Sequence, residues 1–447
     1  MPTDSSENPE EVFSYSAYKE KSYVYRRPYE EPVADWLLQS SPGILEISGP
    51  SKAGKTLLVR HSLLTVRRYK QIWLYGQFIK SIEGFWSYLS NELGVVAGSK
   101  NTIFGGEINA GPAKGTISVG TTEEFKPNIT EILRQLMRQQ PILIIDDFHW
   151  IKQSVRSEII FALKPLTEHT DMNTGRGLKV LILFVQTKEI STSEIWREVQ
   201  GRPISANVPL WTTDDLLRIV TRPFERGQAA VLNAYSMAFE CYGLPSMMQR
   251  ICFEYWHDHV GKVVFGNTYK IQPKQLKKVL EKIANQLWFS GGDRGNYETL
   301  TNQSAIKELS NLESKDGKLG NINQMILLAL TTENLPSLGS SAIEGQIQVP
   351  LHDIVKRLEM ILTQESYALL SKDLVIKALR NMSRKAKRKY LNVLKKHPDT
   401  PIDPLLEYTD IKTTGSGALT IYSPSFLVTL RHSIEHQQRF RTQGQYI

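Results

Sequence analysis

The fold that the sequence predicts is an α/β domain with a parallel sheet, then a helical unit, then a smaller C-terminal unit of helices and a hairpin. Three observations predict it. Between Ile44 and about Trp211, short apolar runs alternate with helical patterns, as in a parallel sheet covered by helices on both faces. From Thr213 to about Trp288 the hydrophobic period becomes wholly helical. Near the end, two β-like segments, Leu406–Lys412 and Ala418–Ser423, follow a set of helices and are joined by Thr413–Gly417, which is the order of a winged helix-turn-helix.

Taken in order, residues 1–20 lack hydrophobic periodicity and read as a flexible arm. Residues 21–212 form the sheet domain, with strands expected at Ile44–Ser48, Ile72–Phe78, Ile142–Asp146, Val180–Gln186 and Ile204–Trp211. A glycine-rich insertion at about 98–125, carrying Gly98, Gly105, Gly106, Gly111, Gly115 and Gly120, reads as a hairpin or loop. Residues 213–288 form the helical unit, with Gly243-Leu244-Pro245 ahead of one of its helices. The Gly-, Asn- and Ser-rich stretch 289–321 is expected to be a linker. In 322–447, helices are expected at Ile322–Thr331, Leu351–Leu362, Tyr367–Arg380 and Arg384–His397, the last capped by Ser383, and a closing helix starts at Pro424.

A chain of 447 residues exceeds one ordinary core, so two or three domains are expected. With 41% hydrophobic and 22% charged residues it reads as a globular protein, and its longest apolar runs have the length of strands and fall far short of a membrane span. The amino terminus is polar and acidic, without the apolar core of a signal peptide. The two cysteines, Cys241 and Cys252, lie in apolar helical patterns; buried thiols in a reducing cytoplasm are expected, without a disulfide or a cysteine metal site.

Gly49-Pro50-Ser51-Lys52-Ala53-Gly54-Lys55-Thr56 fits G-x-x-x-x-G-K-[ST], between a strand pattern and a helix pattern, with Leu57 next on that helix. The glycines let successive N–H groups and the helix N-terminus face a phosphate. Lys55 would reach the β- and γ-oxygens, and the Thr56 hydroxyl would hold Mg²⁺. Ile142–Ile145 followed by Asp146 and Asp147 describes a central strand ending in two carboxylates at the edge where ligands bind. Asp146 would hold Mg²⁺ through its water shell, and Asp147 would orient and deprotonate the attacking water. The other reading is that the two acids cap the next helix. The base is expected to be adenine, because Thr187-Lys188-Glu189-Ile190 has Ile where a guanine site needs an acid.

These motifs resemble the AAA+ and STAND groups of ASCE P-loop ATPases over about Tyr23 to Trp256. Val24-Tyr25-Arg26 with Glu30-Glu31 is similar to the segment that closes over adenine there, with Tyr25 replacing the usual glycine. Ile145–Trp150 resembles the D-D-x-H-W form of the acidic motif, and Gly243-Leu244-Pro245 the G-x-P element of a helical lid whose proline packs on the nucleotide. The resemblance implies a polar contact to the γ-phosphate from Thr187, or from Gln186 beside it, unless these only bond the strand end. It implies an arginine finger at Arg202, for which a solvated surface arginine is the alternative. Asp147 replaces the usual glutamate, and only Arg250 on the lid helix offers itself as a second sensor arginine. Ser48–Val59 and the insertion also resemble bacterial AAA-type ATPases with a C-terminal winged helix, some of them in antiviral defence or mobile-element loci.

The chain's +8 charge is concentrated: Lys372–Lys396 holds ten cations and one acid. On the helix expected there, Arg384, Lys385, Arg388 and Lys389 fall opposite Ala386, Tyr390, Val393 and Leu394. Beside a hairpin, this face suits nucleic-acid phosphates. A solvated face or a docking site for an acidic protein is the competing reading. The expectation is an ATP- and Mg²⁺-dependent homo-oligomeric machine or switch associated with DNA; the alternative is a signalling ATPase that docks an effector protein without binding nucleic acid.

Overall fold

In the computed structural model, the residues described are 6–14, 18–39, 41–67, 69–95, 128–168, 177–185, 204–225, 231–265, 267–290, 293–301, 306, 309–331, 342–343, 346–396, 406–411, 416–421, 424–432 and 441–442. Five parallel strands, β1 (Gly43–Ser48), β2 (Gln71–Tyr75), β3 (Ile142–Asp146), β4 (Lys179–Phe184) and β5 (Ile204–Asn207), pair in the order β2-β3-β4-β1-β5. β1 and β3 are therefore separated by one strand, and their C-terminal ends lie about 10 Å apart, two strand spacings. That gap carries the site.

Both faces of the sheet are buried, which is why its strands read as continuous apolar runs. Leu45, Ile47, Ile142, Ile144, Leu181 and Leu183 face helices α1 (Arg27–Leu38) and α2 (Lys55–Leu63) through Val33, Trp36, Leu58 and Val59. Ile72, Leu74, Leu143, Ile145, Val180 and Ile182 face α3 (Ile82–Leu93), α4 (Ile129–Gln139) and α5 (Gln153–Glu168) through Phe85, Leu89, Leu136 and Ile159. Two expected strands run short. β2 stops at Tyr75 and Gly76–Phe78 is a 3₁₀ turn, while β5 stops at Asn207 and Trp211 lies beyond it. The expected insertion at 98–125 lies outside the described residues.

Helices α6 (Thr213–Glu225), α7 (Tyr235–Phe239), α8 (Pro245–His259) and α9 (Pro273–Ser290) form the lid. The stretch expected as a linker is built into the fold: α10 (Asp293–Thr301) buries Tyr297 and Leu300, and Leu309 and Leu312 are also buried. Its polar composition is the outer face of a short helix. The C-terminal unit adds α11 (Ile322–Thr331), α12 (Leu351–Ile361), α13 (Gln364–Ala368), α14 (Lys372–Lys396) and α15 (Pro424–His432). Strands β6 (Ala342–Ile343), β7 (Gln346–Pro350), β8 (Leu406–Ile411) and β9 (Ser416–Ile421) form an antiparallel sheet in the order β6-β7-β9-β8. The two helices expected around Ser383 are one. Val375, Ala378, Leu379, Met382 and Ala386 make an unbroken buried stripe at helical spacing, so Ser383 sits inside α14 and caps nothing.

A single hydrophobic cluster runs from Val12 through the lid to Leu430, so lid and C-terminal unit share one core. The expected N-terminal arm joins it. Ser6–Glu7 pairs with Val263–Val264, and Phe13, fully buried, meets Trp256 with ring centroids 5.2 Å apart. Cys241 and Cys252 are buried free thiols. No described helix is long and apolar enough to cross a membrane.

Because Phe13 fills the lid core, Phe13→Ala should cost about 3–5 kcal/mol in chemical denaturation. Leu38→Ala, at a position 57% exposed, should cost less than about 0.5 kcal/mol. Equal small losses would show that the N-terminal segment does not support the lid.

Candidate nucleotide site

The site begins where β1 ends. Val208 N–H donates to the Ser48 carbonyl at 2.8 Å, bringing the chain after β5 so close that a Cβ on Gly49 would lie 2.2 Å from the Val208 carbonyl oxygen. Only glycine fits there. The loop then turns through Pro50–Gly54 into α2, whose first N–H groups have no partner within the helix. Lys55 folds back into this turn: its Nζ donates to the carbonyls of Gly49 at 3.0 Å and Pro50 at 2.7 Å. The Thr56 hydroxyl donates to Asp146 Oδ2 at 2.8 Å, joining the loop to the end of β3 across the intervening strand. Asp146 Oδ1 accepts from Asp147 N–H at 2.9 Å, so both its oxygens are fixed.

These groups share a cavity of about 300 Å³ with Ser51, Lys52, Ala53, Gly54 and Leu57. Gly49 and Pro50 do not line it; they act through Lys55. Burial pulls Lys55 down to about 8, and the nearby Asp146 and Asp147 carboxylates resist the shift. Burial, followed by the Asp146 charge, raises Asp147, with Lys55 opposing. Asp147 stands in the left-handed backbone region at φ 54°, which turns it off the strand axis. The two acids therefore do different things: Asp146 meets Thr56, and Asp147 opens on the cavity. His149 is pulled down to about 3 by burial and by Lys55 and Arg156, so it is neutral. Its Nδ1 accepts the Val185 N–H at 3.3 Å and straps the ends of β3 and β4 together.

The far wall is built from the N-terminal segment and the lid. Val24, Arg26 and Pro245 line the cavity, whereas Tyr25 does not and is 37% exposed. Arg26 is a buried clamp. Its guanidinium lies 4.2 Å from the Tyr29 ring and 4.7 Å from the Trp211 ring, and its Nε is 3.6 Å from Asp215 Oδ2. Tyr23 stacks on His61 at 4.2 Å, and His61 Nδ1 is 3.0 Å from the buried Glu30. Gln249, one turn beyond Pro245, accepts the Ser14 N–H through Oε1 at 3.1 Å and donates from Nε2 to Ser22 Oγ at 2.9 Å. Trp211, Tyr23 and Gln249 escape the sequence reading. The only local signals are Gln249's helical spacing from Pro245 and an aromatic at the exit of the last strand.

Several expected residues stand elsewhere. Gln186, Thr187 and Arg202 lie outside the described residues. Arg250 is hydrogen-bonded to Gln286 and does not line the cavity; Ser246 and Gln249 occupy the lid's inner face. The basic helix is a separate surface. Arg384 and Arg388 are exposed there, and Lys377, Arg380, Ser383 and Arg384 line one shallow hollow. Lys385 and Lys389 turn partly inward, against the expectation of one outward face: Lys389 Nζ donates to Asn296 Oδ1 at 2.7 Å, and burial lowers both lysines.

The parallel sheet, the glycine loop after β1, the buried lysine heading α2 and the paired acids closing β3 define a P-loop nucleotide-binding α/β fold with a helical domain. No protein-family model and no curated protein matches the chain. Solved structures do. The Aeropyrum pernix ORC2 protein (ADPNP–ADP complexes) matches 95% of this chain and 97% of that one at 12% identity and TM-score 0.47. The Aeropyrum pernix ORC1 protein in complex with DNA matches 96% of each at 10% identity and TM-score 0.46. The Thermotoga maritima RuvB Holliday junction branch migration motor matches 62% of this chain and 76% of that one at 13% identity and TM-score 0.37. None is close enough to carry a function across.

The position of Lys55 near 8 gives a pH dependence with a definite sign. Phosphate holds the bound lysine protonated, while the free lysine loses its proton through this range, so affinity falls as pH rises. ATP affinity should drop about tenfold between pH 7 and 9, with proton uptake on binding near pH 8. Calorimetry in two buffers of different ionisation enthalpy measures both. A flat profile would mean that Lys55 stays charged without the nucleotide.

Proposed function

We propose that this chain binds and hydrolyses ATP as an AAA+/STAND-type switch that works as a homo-oligomer in association with DNA. The observation that carries the reading is the pairing of Thr56 Oγ1 with Asp146 Oδ2 at 2.8 Å, beside a buried Lys55. This donor set fits Mg²⁺, which prefers one or two protein oxygens with phosphates and water. Among the described residues no cluster of three acids, histidines or cysteines offers a cage for a different metal. The bound ion would neutralise phosphate charge as it develops.

The chain's own groups supply the rest. Lys55 would leave the Gly49 and Pro50 carbonyls for β- and γ-oxygens, and the N–H groups of the loop and of α2 would take the remaining phosphate charge. Asp147 would accept a proton from water as its oxygen bonds to the γ-phosphorus and the β–γ bridge breaks, releasing ADP and phosphate. A carboxylate raised by burial is a better base for that step than a solvated one. Adenine would lie against Val24 and Pro245. Thr187, just after β4, and Arg202, just ahead of edge strand β5, keep their proposed roles as γ-phosphate contact and arginine finger. A setting in antiviral defence or mobile elements follows from sequence resemblance alone.

The order α11, β7, α12, α14 and the β8–β9 hairpin supports a winged-helix reading, with α14 as the recognition helix. Lys377, Arg380, Arg384, Lys387 and Arg388 follow one another along its exposed side, a stripe suited to a phosphate backbone.

Lys55→Ala should abolish ATP binding in calorimetry. Asp147→Asn should keep ATP and magnesium affinity but lose phosphate release, because an amide takes no proton. Wild-type binding by the first variant, or wild-type turnover by the second, would remove the corresponding role.

For DNA, replacing Arg384 and Arg388 by Ala should lower the salt slope of binding by about two, one unit for each cation withdrawn from a phosphate. The same change at the inward-turned Lys385 and Lys389 should lower it less. Slopes identical to wild type for both pairs would favour the alternative, a signalling ATPase whose basic helix docks an effector protein.

A further inference from the structure

Trp211 belongs to none of the nucleotide motifs, yet it joins the phosphate loop to the lid. Its Nε1–H donates to the Ala53 carbonyl at 2.8 Å, inside the loop, and its backbone N–H donates to the Gly243 carbonyl at 2.9 Å. Gly243 stands at φ +78°, and a Cβ there would lie 2.9 Å from the Leu210 Cβ, so the two segments interlock only with glycine. Three residues earlier, Glu240 clamps the closing helix. Arg431 Nη2 is 2.9 Å from its Oε1 and His432 Nε2 is 2.7 Å from its Oε2, with all three side chains no more than 12% exposed. One turn back on α15, Thr429 Oγ1 donates to Asp293 Oδ2 at 2.7 Å. Asp293 is hydrogen-bonded in turn by Asn296, which holds Lys389 of the basic helix at 2.7 Å. A series of polar contacts, joined by the short backbone segments 240–243 and 429–432, thus runs from Ala53 to Lys389.

We propose that Trp211 is the positioning residue through which occupancy of the phosphate loop reaches the basic helix. The proposal rests on the ATP-binding reading above. Phosphate competes with the Gly49 and Pro50 carbonyls for the Lys55 ammonium, so binding reshapes the loop that Trp211 grips. The shift passes through Gly243 to Glu240, and from there to α15 and Asp293. Lys52, on the loop itself, is near enough to Asp293 for its charge to oppose the rise that burial gives that carboxyl. Such a series becomes a coupling only if both ends respond to it.

Two variants test this. Trp211→Phe keeps a ring for Arg26 to pack on but removes the N–H. Glu240→Gln breaks the clamp far from the nucleotide. The measurements are ATP calorimetry, melting temperature and amide hydrogen exchange with and without ATP–Mg²⁺. In the wild type, ATP should change exchange in residues 372–396 and 424–432. Trp211→Phe should bind ATP with affinity reduced about tenfold or less, as for one missing hydrogen bond, and the change in both segments should vanish. Glu240→Gln should bind ATP as the wild type does and lose the same change. An unaltered response in both variants, or a wild type that binds ATP without any response at 372–396, overturns the proposal. Failure of the wild type to bind ATP overturns the functional reading instead. The relay is then decided without nucleotide: Trp211→Phe must speed exchange at both 49–54 and 424–432, and unchanged exchange at 424–432 overturns it.

Discussion

Lys55 is only 9% exposed, and its ammonium is bonded to two backbone carbonyls of its own loop near the carboxylates of Asp146 and Asp147. An isolated ammonium at that depth would lose several kcal/mol of hydration, so the surrounding chain has to replace the water. The Gly49 and Pro50 carbonyls do so only if the backbone curls tightly, and it curls only because Gly49 lets Val208 approach. The carboxylates reach the site only if β3 ends two strands away from β1 with its last residue at the right height. The parallel register of Ile145 with Ile182 on β4, and of Ser48 with Phe184, sets that height. Sheet order, register and loop shape together place this one cation in the phosphate loop.

The wall opposite is made by distant parts of the chain, and it follows another rule. Arg26 is buried against Tyr29 and Trp211, and stacking on two aromatic faces replaces part of its hydration, with Asp215 beside it. That packing draws the N-terminal segment, the exit of β5 and the start of α6 into one cluster over the cavity. Among the described residues the lid and the C-terminal unit share one continuous core that reaches α15. The region expected as a linker, 289–321, instead contributes Tyr297 and Leu300 to that core.

What the sequence made legible was whatever is local. The phosphate loop, the acid strand and the apolar runs announce themselves within about ten consecutive residues, because the chemistry needs those residue types at fixed spacing. Trp211, Gln249 and Phe13 gave no such signal. Their importance comes from partners such as Ala53, Ser14 and Trp256, far along the chain, and no period reports a contact of that kind. The misreadings have the same origin. Asn, Gly and Ser give 289–321 the composition of a linker, but Tyr297 and Leu300 dock α10 in the core. Ser383 looked like a cap because serine favours helix starts, yet the apolar stripe from Val375 to Ala386 carries the helix straight through it. Packing overrode propensity in both cases.

The basic helix shows why a count of charges overstates a binding face. Ten cations crowd α14, but a helix that buries Val375, Leu379, Met382 and Ala386 must also turn the flanks of that stripe toward its neighbours. Lys385 and Lys389 lie on a flank. Each keeps its long apolar stem against the fold, and Lys389 gives its ammonium to Asn296 beside Asp293 and Glu298. Arg384 and Arg388 lie farther round and keep their charges in solvent. The helix thus divides its cations between an exposed outer group and a partly buried inner one, of which Lys389 is bonded to α10. Asp293, which neighbours the inner group, is bonded to α15 through Thr429 and senses the charge of Lys52. The basic surface of α14 therefore borders contacts that run through Asp293 and Thr429 to α15.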